Sequence, residues 1–407
     1  MNLYIFNETR RGAVFGIGTY IRELITALQE SDIHICVVNL LSEKSHITME
    51  EADGIRHWYF PEPIPDTRAS EPKEQRQMYF HNVVYLLQLY IQDKTDLRFH
   101  LNFPQCESFV DELKNTFDCK VVSVVHFSNW GFSVFDNLPR LQNILNEEHS
   151  DSFGEDVKKL FEEDRSYYSK VDRCICLSEY MHNILCREYE LDAANISVIP
   201  NGLSDVPDSA ADIALLRKKW NIRNEEKVIL FAGRIDEVKG IRYLIKAFHE
   251  VVVKCPETRL IIAGSGNYDP CLQEAKAVCT KITFTGLLEK EELYELYRMA
   301  ALGVVPSLFE PFGYVAVEMM IHALPVVATA TSGLNEVVDQ TCSLKIPLTK
   351  LPDGIEIDTS LLAQAILYLL LHPAEAKEMG QKGRKRFLEN YSSEIFRRNM
   401  IHLYASL

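Results

Sequence analysis

Two carboxylates, Glu310 and Glu318, bracket residues 306–318, which read PSLFEPFGYVAVE. An ionised carboxylate only accepts hydrogen bonds, and its two oxygens can take two hydroxyls of a polyol at once. The apolar run 302–305 before the stretch predicts a buried strand, and the apolar segment 315–321 at its end predicts a helix. A strand, a Pro311-Phe312-Gly313 turn and a helix in succession would aim the N–H groups of Gly313, Tyr314 and Val315 at an anion such as a phosphate. Glu310 precedes the helix and Glu318 lies within it, so the two reach different depths of one cleft. One could hold a sugar and the other a ribose. The competing reading makes Glu318 an ordinary surface residue of a helix.

A second group carries the opposite charge. Gly233-Arg234-Ile235-Asp236-Glu237-Val238-Lys239-Gly240 directly follows the strand-like run 227–232. Arginine supplies a planar fork of donors and lysine a movable point charge, so Arg234 and Lys239 could clamp a diphosphate. They could equally be solvated charges paired with Asp236 and Glu237. A third group is Phe15-Gly16-Ile17-Gly18-Thr19-Tyr20. Gly16 would let a phosphate approach the backbone, and a tight strand-to-helix turn explains it as well. The group lacks the G-x-G-x-x-G spacing, and Val37-Val38-Asn39 stands where a dinucleotide site needs an acidic residue. The fourth candidate is His126, closing the run VVSVVHF. A lone histidine after a strand is more often structural than catalytic, and its weight comes from the other three groups. There is no P-loop, no H-E-x-x-H, no G-x-S-x-G and no Asp-x-Asp placed to carry a metal-bound diphosphate.

Positioning these groups requires a repeated strand–helix unit. Residues 2–6 predict a first strand, and Ile21, Leu24, Ile25 and Leu28 fall on one helical face behind the glycine loop. Residues 34–41, 55–60, 97–103, 120–126, 173–177 and 196–199 predict further strands. Residues 61–72, rich in proline and charge, predict a surface loop. The aromatic segment 78–91 predicts a core helix rather than a membrane- or acceptor-facing one, because it has no basic face. Residues 137–159 predict a polar helical insertion. Pro200-Asn201-Gly202 and the polar run after it break the chain. The rhythm then restarts with strands at 227–232, 259–263, 282–285, 302–305 and 326–328 and helices at 241–253, 361–371 and 375–389. Such alternation predicts an α/β protein with mostly parallel sheets, in two Rossmann-like domains that face each other. The domain boundaries are 1–203 and 204–387. Ligands of such sheets sit at the carboxyl ends of the strands.

Composition narrows the function. The 407 residues are 47% hydrophobic and 25% charged, an ordinary globular balance for two or three domains. A formal net charge of −15 speaks against a nucleic-acid partner and against an anionic membrane surface as the main partner. No uncharged apolar run is long enough to predict a transmembrane segment, and the N-terminus lacks signal-peptide character. Ten cysteines occur without C-x-x-C, several within apolar runs, so reduced buried thiols and a cytoplasmic location are expected. No His/Cys spacing suits zinc.

Taken together, Pro200-Asn201-Gly202, Gly233-Arg234 with Lys239-Gly240, Ile262-Ala263-Gly264 with Gly266, Phe284-Thr285-Gly286, and Glu310-Pro311-Phe312-Gly313 with Glu318 resemble the family-four retaining glycosyltransferases of GT-B architecture. The resemblance is densest over residues 196–345. It implies that Arg234 and Lys239 bind the donor diphosphate, that Glu310 binds the transferred sugar, and that Glu318 holds the ribose. It places Gly286 and Leu288 beside the base, Gly16 beside the diphosphate and His126 beside the donor sugar, with Phe312, Gly313, Tyr314 and Val315 completing the donor site. It implies that no metal and no cofactor is needed, and that a last helix, 388–407, packs back on the first, acceptor-side domain. Phe15, Phe127 and Ser204 depart from the usual pattern, at a paired glycine and at two aspartates. The opening residues also resemble bacterial transferases of peptide-maturation clusters, a hint about the acceptor; bacterial glycan biosynthesis is the expected setting.

The expectation is a metal-independent hexosyltransferase that uses a nucleotide sugar and an acceptor the sequence leaves open: a glycan, lipid-linked glycan, small molecule or peptide. The alternatives are a sugar-nucleotide epimerase or hydrolase of the same architecture, or a non-catalytic partner subunit that binds a sugar nucleotide. Peripheral membrane contact is compatible with this reading but not favoured by it.

Overall fold

The computed structural model describes residues 1–9, 16–63, 72–104, 107–135, 137–148, 150–206 and 212–407. Phe15 of the glycine loop lies outside the described residues, as do 64–71 of the surface loop. The chain divides into two compact units. The first comprises residues 1–130, 149–202 and 393–407, and the second 131–148 and 203–392.

The first unit is built on a sheet whose strands run β1 (Asn2–Glu8), β2 (His34–Ser42), β3 (Thr48–Ala52), β4 (Ile55–Pro61), β5 (Leu97–Leu101), β6 (Cys119–Val125), β7 (Arg173–Cys176) and β8 (Ile196–Val198) along the chain. In space the order is β3-β4-β2-β1-β5-β6-β7-β8, all parallel except the edge pair β3–β4. The order reverses between β1 and β5, so the segments leaving these two strands flank a crevice. Asp53 and Gly54, both with positive φ, turn β3 into β4. Helix Gly16–Leu28 buries Tyr20, Ile21, Leu24, Ala27 and Leu28. It starts ahead of its apolar face, so Gly16 opens the first turn rather than sitting in a loop. Helix Pro72–Tyr90 buries Phe80, Val83, Val84 and Leu87 and leaves Met78, Tyr85 and Leu89 exposed, so the expected core helix has only one core face. The return helix is Ser393–Ala405; Phe396 packs on Tyr20 with ring centroids 5.6 Å apart.

In the second unit the strands are β9 (Lys227–Ala232), β10 (Thr258–Ala263), β11 (Ile282–Gly286), β12 (Leu302–Val305), β13 (Val326–Thr329) and β14 (Ser343–Ile346). The spatial order is β11-β10-β9-β12-β13-β14, all parallel. Both faces are covered, which is why β9, β12 and β13 are near-continuous buried apolar runs. The switch point lies between β9 and β12. An antiparallel ribbon, β15 (Leu348–Leu351) with β16 (Gly354–Ile357), is added after β14. The expected 137–159 insertion is in fact two helices. Leu138–Asn146 belongs to the second unit and Ser152–Lys170, capped by the Asp151 side chain, to the first. Packing explains the split: Phe132 lies edge-on to Phe309 at 5.1 Å, and the Asn137 amide donates to the carbonyls of Leu351 and Gly354 at 3.0 and 3.3 Å.

The loops after β9, β10 and β11 are stitched through backbone. Gly233 N donates to Ala263 O, Ile235 N to Ser265 O, Asn267 N to Ile235 O and Gly264 N to Gly286 O, at 2.8–2.9 Å. Gly264 has φ +150°, and a β-carbon there would lie 1.7 Å from Gly233 O. Gly286 has φ +79° but open space around it. Gly264→Ala should therefore destabilise the fold by more than about 3 kcal/mol, while Gly286→Ala should cost about 1–2 kcal/mol of left-handed strain alone. Urea unfolding of both variants beside the wild type measures the contrast, and equal losses would contradict it.

Candidate functional site

The second unit brings four of the predicted residues to the switch point. Asp236 organises the loop after β9. Its Oδ1 accepts from Lys239 N at 3.1 Å and caps the short 3-10 turn Glu237–Lys239, while its Oδ2 pairs with Arg234 Nη2 at 3.2 Å. One carboxylate thus orients both cations. At Gly240, φ +63°, the backbone runs against the next loop: a β-carbon there would sit 1.9 Å from Pro306 O. Leu308 N donates to Val238 O at 2.7 Å across the same seam. The loop after β12 is held from behind by hydroxyls at the end of β13 and just beyond it. Thr329 Oγ1 donates to Ser307 O at 2.5 Å and Thr331 Oγ1 to Leu308 O at 2.9 Å.

These contacts deliver Lys239 Nζ to 2.5 Å from Glu310 Oε2, with Ser307 Oγ donating to the same oxygen at 3.1 Å. The side chains of Lys239 and Glu310 are 18% and 15% exposed, half-buried yet reachable. Lys239 therefore pairs with Glu310, not with the acids of its own loop, and Arg234 does pair with Asp236. Glu318 lies one helix further in and accepts from Tyr297 Oη at 2.9 Å. Burial and the Glu318 charge raise the Tyr297 phenol well above its ordinary pKa, so it stays a donor. Helix Tyr314–Ile321 has no side-chain cap at its N-terminus, where Gly313 sits at φ +99°. Tyr314 and Val315 form its half-buried first turn. Gly286 ends β11, and the half-buried Leu288 follows it.

Phe312 is buried within the turn. Its ring is 3% exposed and packs on Tyr314 and Tyr391 with centroids 5.4 and 5.9 Å apart. It anchors the turn, and only its backbone could meet a ligand. Asp236 enters the sequence reading as a charge partner but not as the cap of its loop, while Ser307, Tyr297, Thr329 and Thr331 escape it. The one signal for them is the clustering of hydroxyl residues around the ends of β12 and β13. Among the described residues no group of three or more His, Cys, Asp or Glu could hold a metal ion, and no helix is long and apolar enough to cross a membrane.

In the first unit, Gly16 is exposed at the start of its helix and His126 follows β6. His126 Nε2 lies 3.1 Å from Asn102 Oδ1, and the Tyr20 ring stands edge-on at 4.8 Å. Beneath it, His100 takes Tyr20 Oη at 3.3 Å and Tyr404 Oη at 2.8 Å on its two ring nitrogens. Burial pushes both imidazoles down to about 3, with His100 adding to the effect on His126. His126 is thus neutral near pH 7 and unsuited to proton donation.

Two family models match. "Glycosyltransferase Family 4" spans residues 14–205 and "Glycosyl transferases group 1" spans 212–386. A glycosyltransferase of Methanocaldococcus jannaschii without an assigned reaction is 30% identical over 247 residues, 57% of this chain and 62% of that protein. Sucrose-phosphate synthase of Thermosynechococcus elongatus superposes with a TM-score of 0.75 at 22% identity, over 100% of this chain and 98% of that one. Anabaena HepE in complex with UDP-glucose gives 0.70 at 15% identity, over 100% of both chains. The matches span less than two thirds of the length of the curated relatives. Two sheets of mostly parallel strands, with charged groups at a switch point, define the fold as that of the GT-B glycosyltransferases. Within that class, the chain belongs to the family-four type.

The two histidines give a pH signature. A ring whose folded pKa lies below its unfolded value binds its proton more readily when unfolded. The stability from neutral His100 and His126 is therefore complete above about pH 6.5 and is lost as pH falls toward 3. Between these limits each histidine should contribute a slope approaching about 1.4 kcal/mol per pH unit. Urea unfolding at pH 7, 6, 5 and 4 should show the decline, and His100→Phe should make it shallower.

Proposed function

We propose that the chain transfers a sugar from a nucleotide-diphosphate sugar to an acceptor, with retention of configuration and without a metal ion. The observation that carries the reading is the meeting of Lys239 and Glu310 at the β9/β12 switch point. Cleaving a sugar–phosphate bond builds negative charge on the departing diphosphate and positive character on the sugar. Fixed cations aimed at the first and a carboxylate beside the second act where that charge develops. A diphosphate would compete with Glu310 for Lys239 Nζ. That competition would turn the carboxylate toward the hydroxyls of the sugar held next to the phosphate. Arg234, oriented by Asp236, adds the second cation. Glu318, fixed by the Tyr297 phenol, holds the ribose; Gly286 and Leu288 border the base; and the first turn at Gly313, Tyr314 and Val315 faces the phosphates. Gly16 and His126 are the substrate contacts of the first unit. HepE, of like fold, is known in complex with UDP-glucose, which supports a sugar nucleotide as the donor. With such a donor, the cytoplasm is the natural compartment.

Calorimetry with UDP-, GDP- and ADP-sugars should find at least one that binds; silence across the whole panel sinks the proposal. Lys239→Ala and Glu310→Ala should each lower turnover at least about tenfold with unchanged circular dichroism. Chelator should leave turnover intact, and NMR of the product should show the donor's anomeric configuration. Conversion of the donor in the absence of any acceptor, at the same rate as with one, would point instead to an epimerase or hydrolase.

A further inference from the structure

The Asn102 side chain decides which face His126 shows to a ligand. The carbonyl oxygen of Phe6 can only accept a hydrogen bond, so the Asn102 group 3.0 Å from it is the amide nitrogen. The opposite side of that amide is then the oxygen, 3.1 Å from His126 Nε2. An amide oxygen cannot donate, so Nε2 carries the hydrogen. Because the ring is neutral, Nδ1 is left with a lone pair. One backbone carbonyl of β1 thus dictates, through one amide after β5, the tautomer of a histidine after β6.

We propose that Asn102 is a positioning residue, which holds His126 as the Nε2–H tautomer so that Nδ1 accepts a hydrogen bond from a substrate hydroxyl. This rests on the reading of His126 as a substrate contact. The lone pair sets the ligand chemistry. It welcomes an O–H, such as a sugar hydroxyl, and repels a phosphate oxygen. His126 therefore selects for the sugar and not for the diphosphate. The titratable groups around it are His100 at the end of β5, Tyr20 on helix Gly16–Leu28 and, beyond His100, Tyr404 on the return helix. All are buried, and burial keeps each of them neutral near pH 7.

Long-range proton–nitrogen NMR of the wild-type chain should show His126 with a proton on Nε2 and none on Nδ1 from pH 5 to 8. A proton on Nδ1, or a cationic ring at pH 6, overturns the proposal. This arm needs no substrate, so it can fail or succeed apart from the glycosyltransferase reading, and it stands even should an Asn102 variant not fold. The kinetic arm is a double-mutant cycle. Asn102→Ala should raise the KM for the donor about fivefold and affect kcat less, and in a His126→Ala background it should change KM no further. Additive effects of the two substitutions would show that Asn102 acts on the fold and not through His126.

Discussion

At Gly240 one loop runs against another so closely that any side chain would collide with the Pro306 carbonyl. This contact, with the Leu308–Val238 hydrogen bond beside it, joins the segments that leave β9 and β12. The sheet order puts these two strands side by side, although 69 residues separate Ala232 from Leu302. The charges ride on this backbone seam. Lys239 precedes Gly240 and Glu310 follows Leu308, so their meeting is set by main-chain geometry before any attraction between them counts. That order of causes suits a catalytic pair. Groups placed by the scaffold keep their positions when a ligand redistributes their charge, and electrostatic preorganisation depends on this.

The two units handle buried polarity differently. At the switch point of the second, full charges are kept half-buried and matched one to one, Lys239 with Glu310 and Arg234 with Asp236. Complete burial of such pairs would carry a desolvation penalty that their attraction does not reliably offset. Beside His126 in the first unit, Tyr20, His100, Tyr404 and Asn102 are buried outright, and the two phenols and the imidazole stay neutral near pH 7. Tyr20 and Tyr404 hydrogen-bond the two ring nitrogens of His100, and Asn102 hydrogen-bonds His126. The first arrangement answers to an anion, the second to hydroxyls.

Much of the fold is legible in the sequence because parallel strands covered on both faces read as unbroken apolar runs. β9, β12 and β13 carry that signal in full. β3, reading TMEEA, carries none: it is an exposed edge strand whose place comes from the Asp53-Gly54 turn. β14 and the ribbon β15–β16 are short and half-polar and are invisible for the same reason. At the site, motif spacing locates Arg234, Lys239, Glu310 and Glu318, but of their partners it offers only Asp236 for Arg234. The choice of Glu310 over Asp236 or Glu237 by Lys239 depends on strand order, which no local pattern encodes. Phe312 looks like a site residue by position and is a packing residue by burial, because Tyr391, 79 residues on, covers it. Asn102 has no signal at all, since its role exists only once β1, β5 and β6 are neighbours.

The polypeptide passes between the units four times, at 130/131, 148/149, 202/203 and 392/393. Neither unit is therefore a continuous length of gene. A fragment cut at residue 202 would carry away helix Leu138–Asn146, whose packing partners are in the second unit, and would leave behind Tyr404, the hydroxyl that meets His100 Nδ1. The imidazole would keep a buried nitrogen with nothing to bond. Dissection of this protein thus has to track the path of the chain rather than its order. A separated first unit becomes whole only when residues 393–407 are spliced back to it or supplied as a peptide.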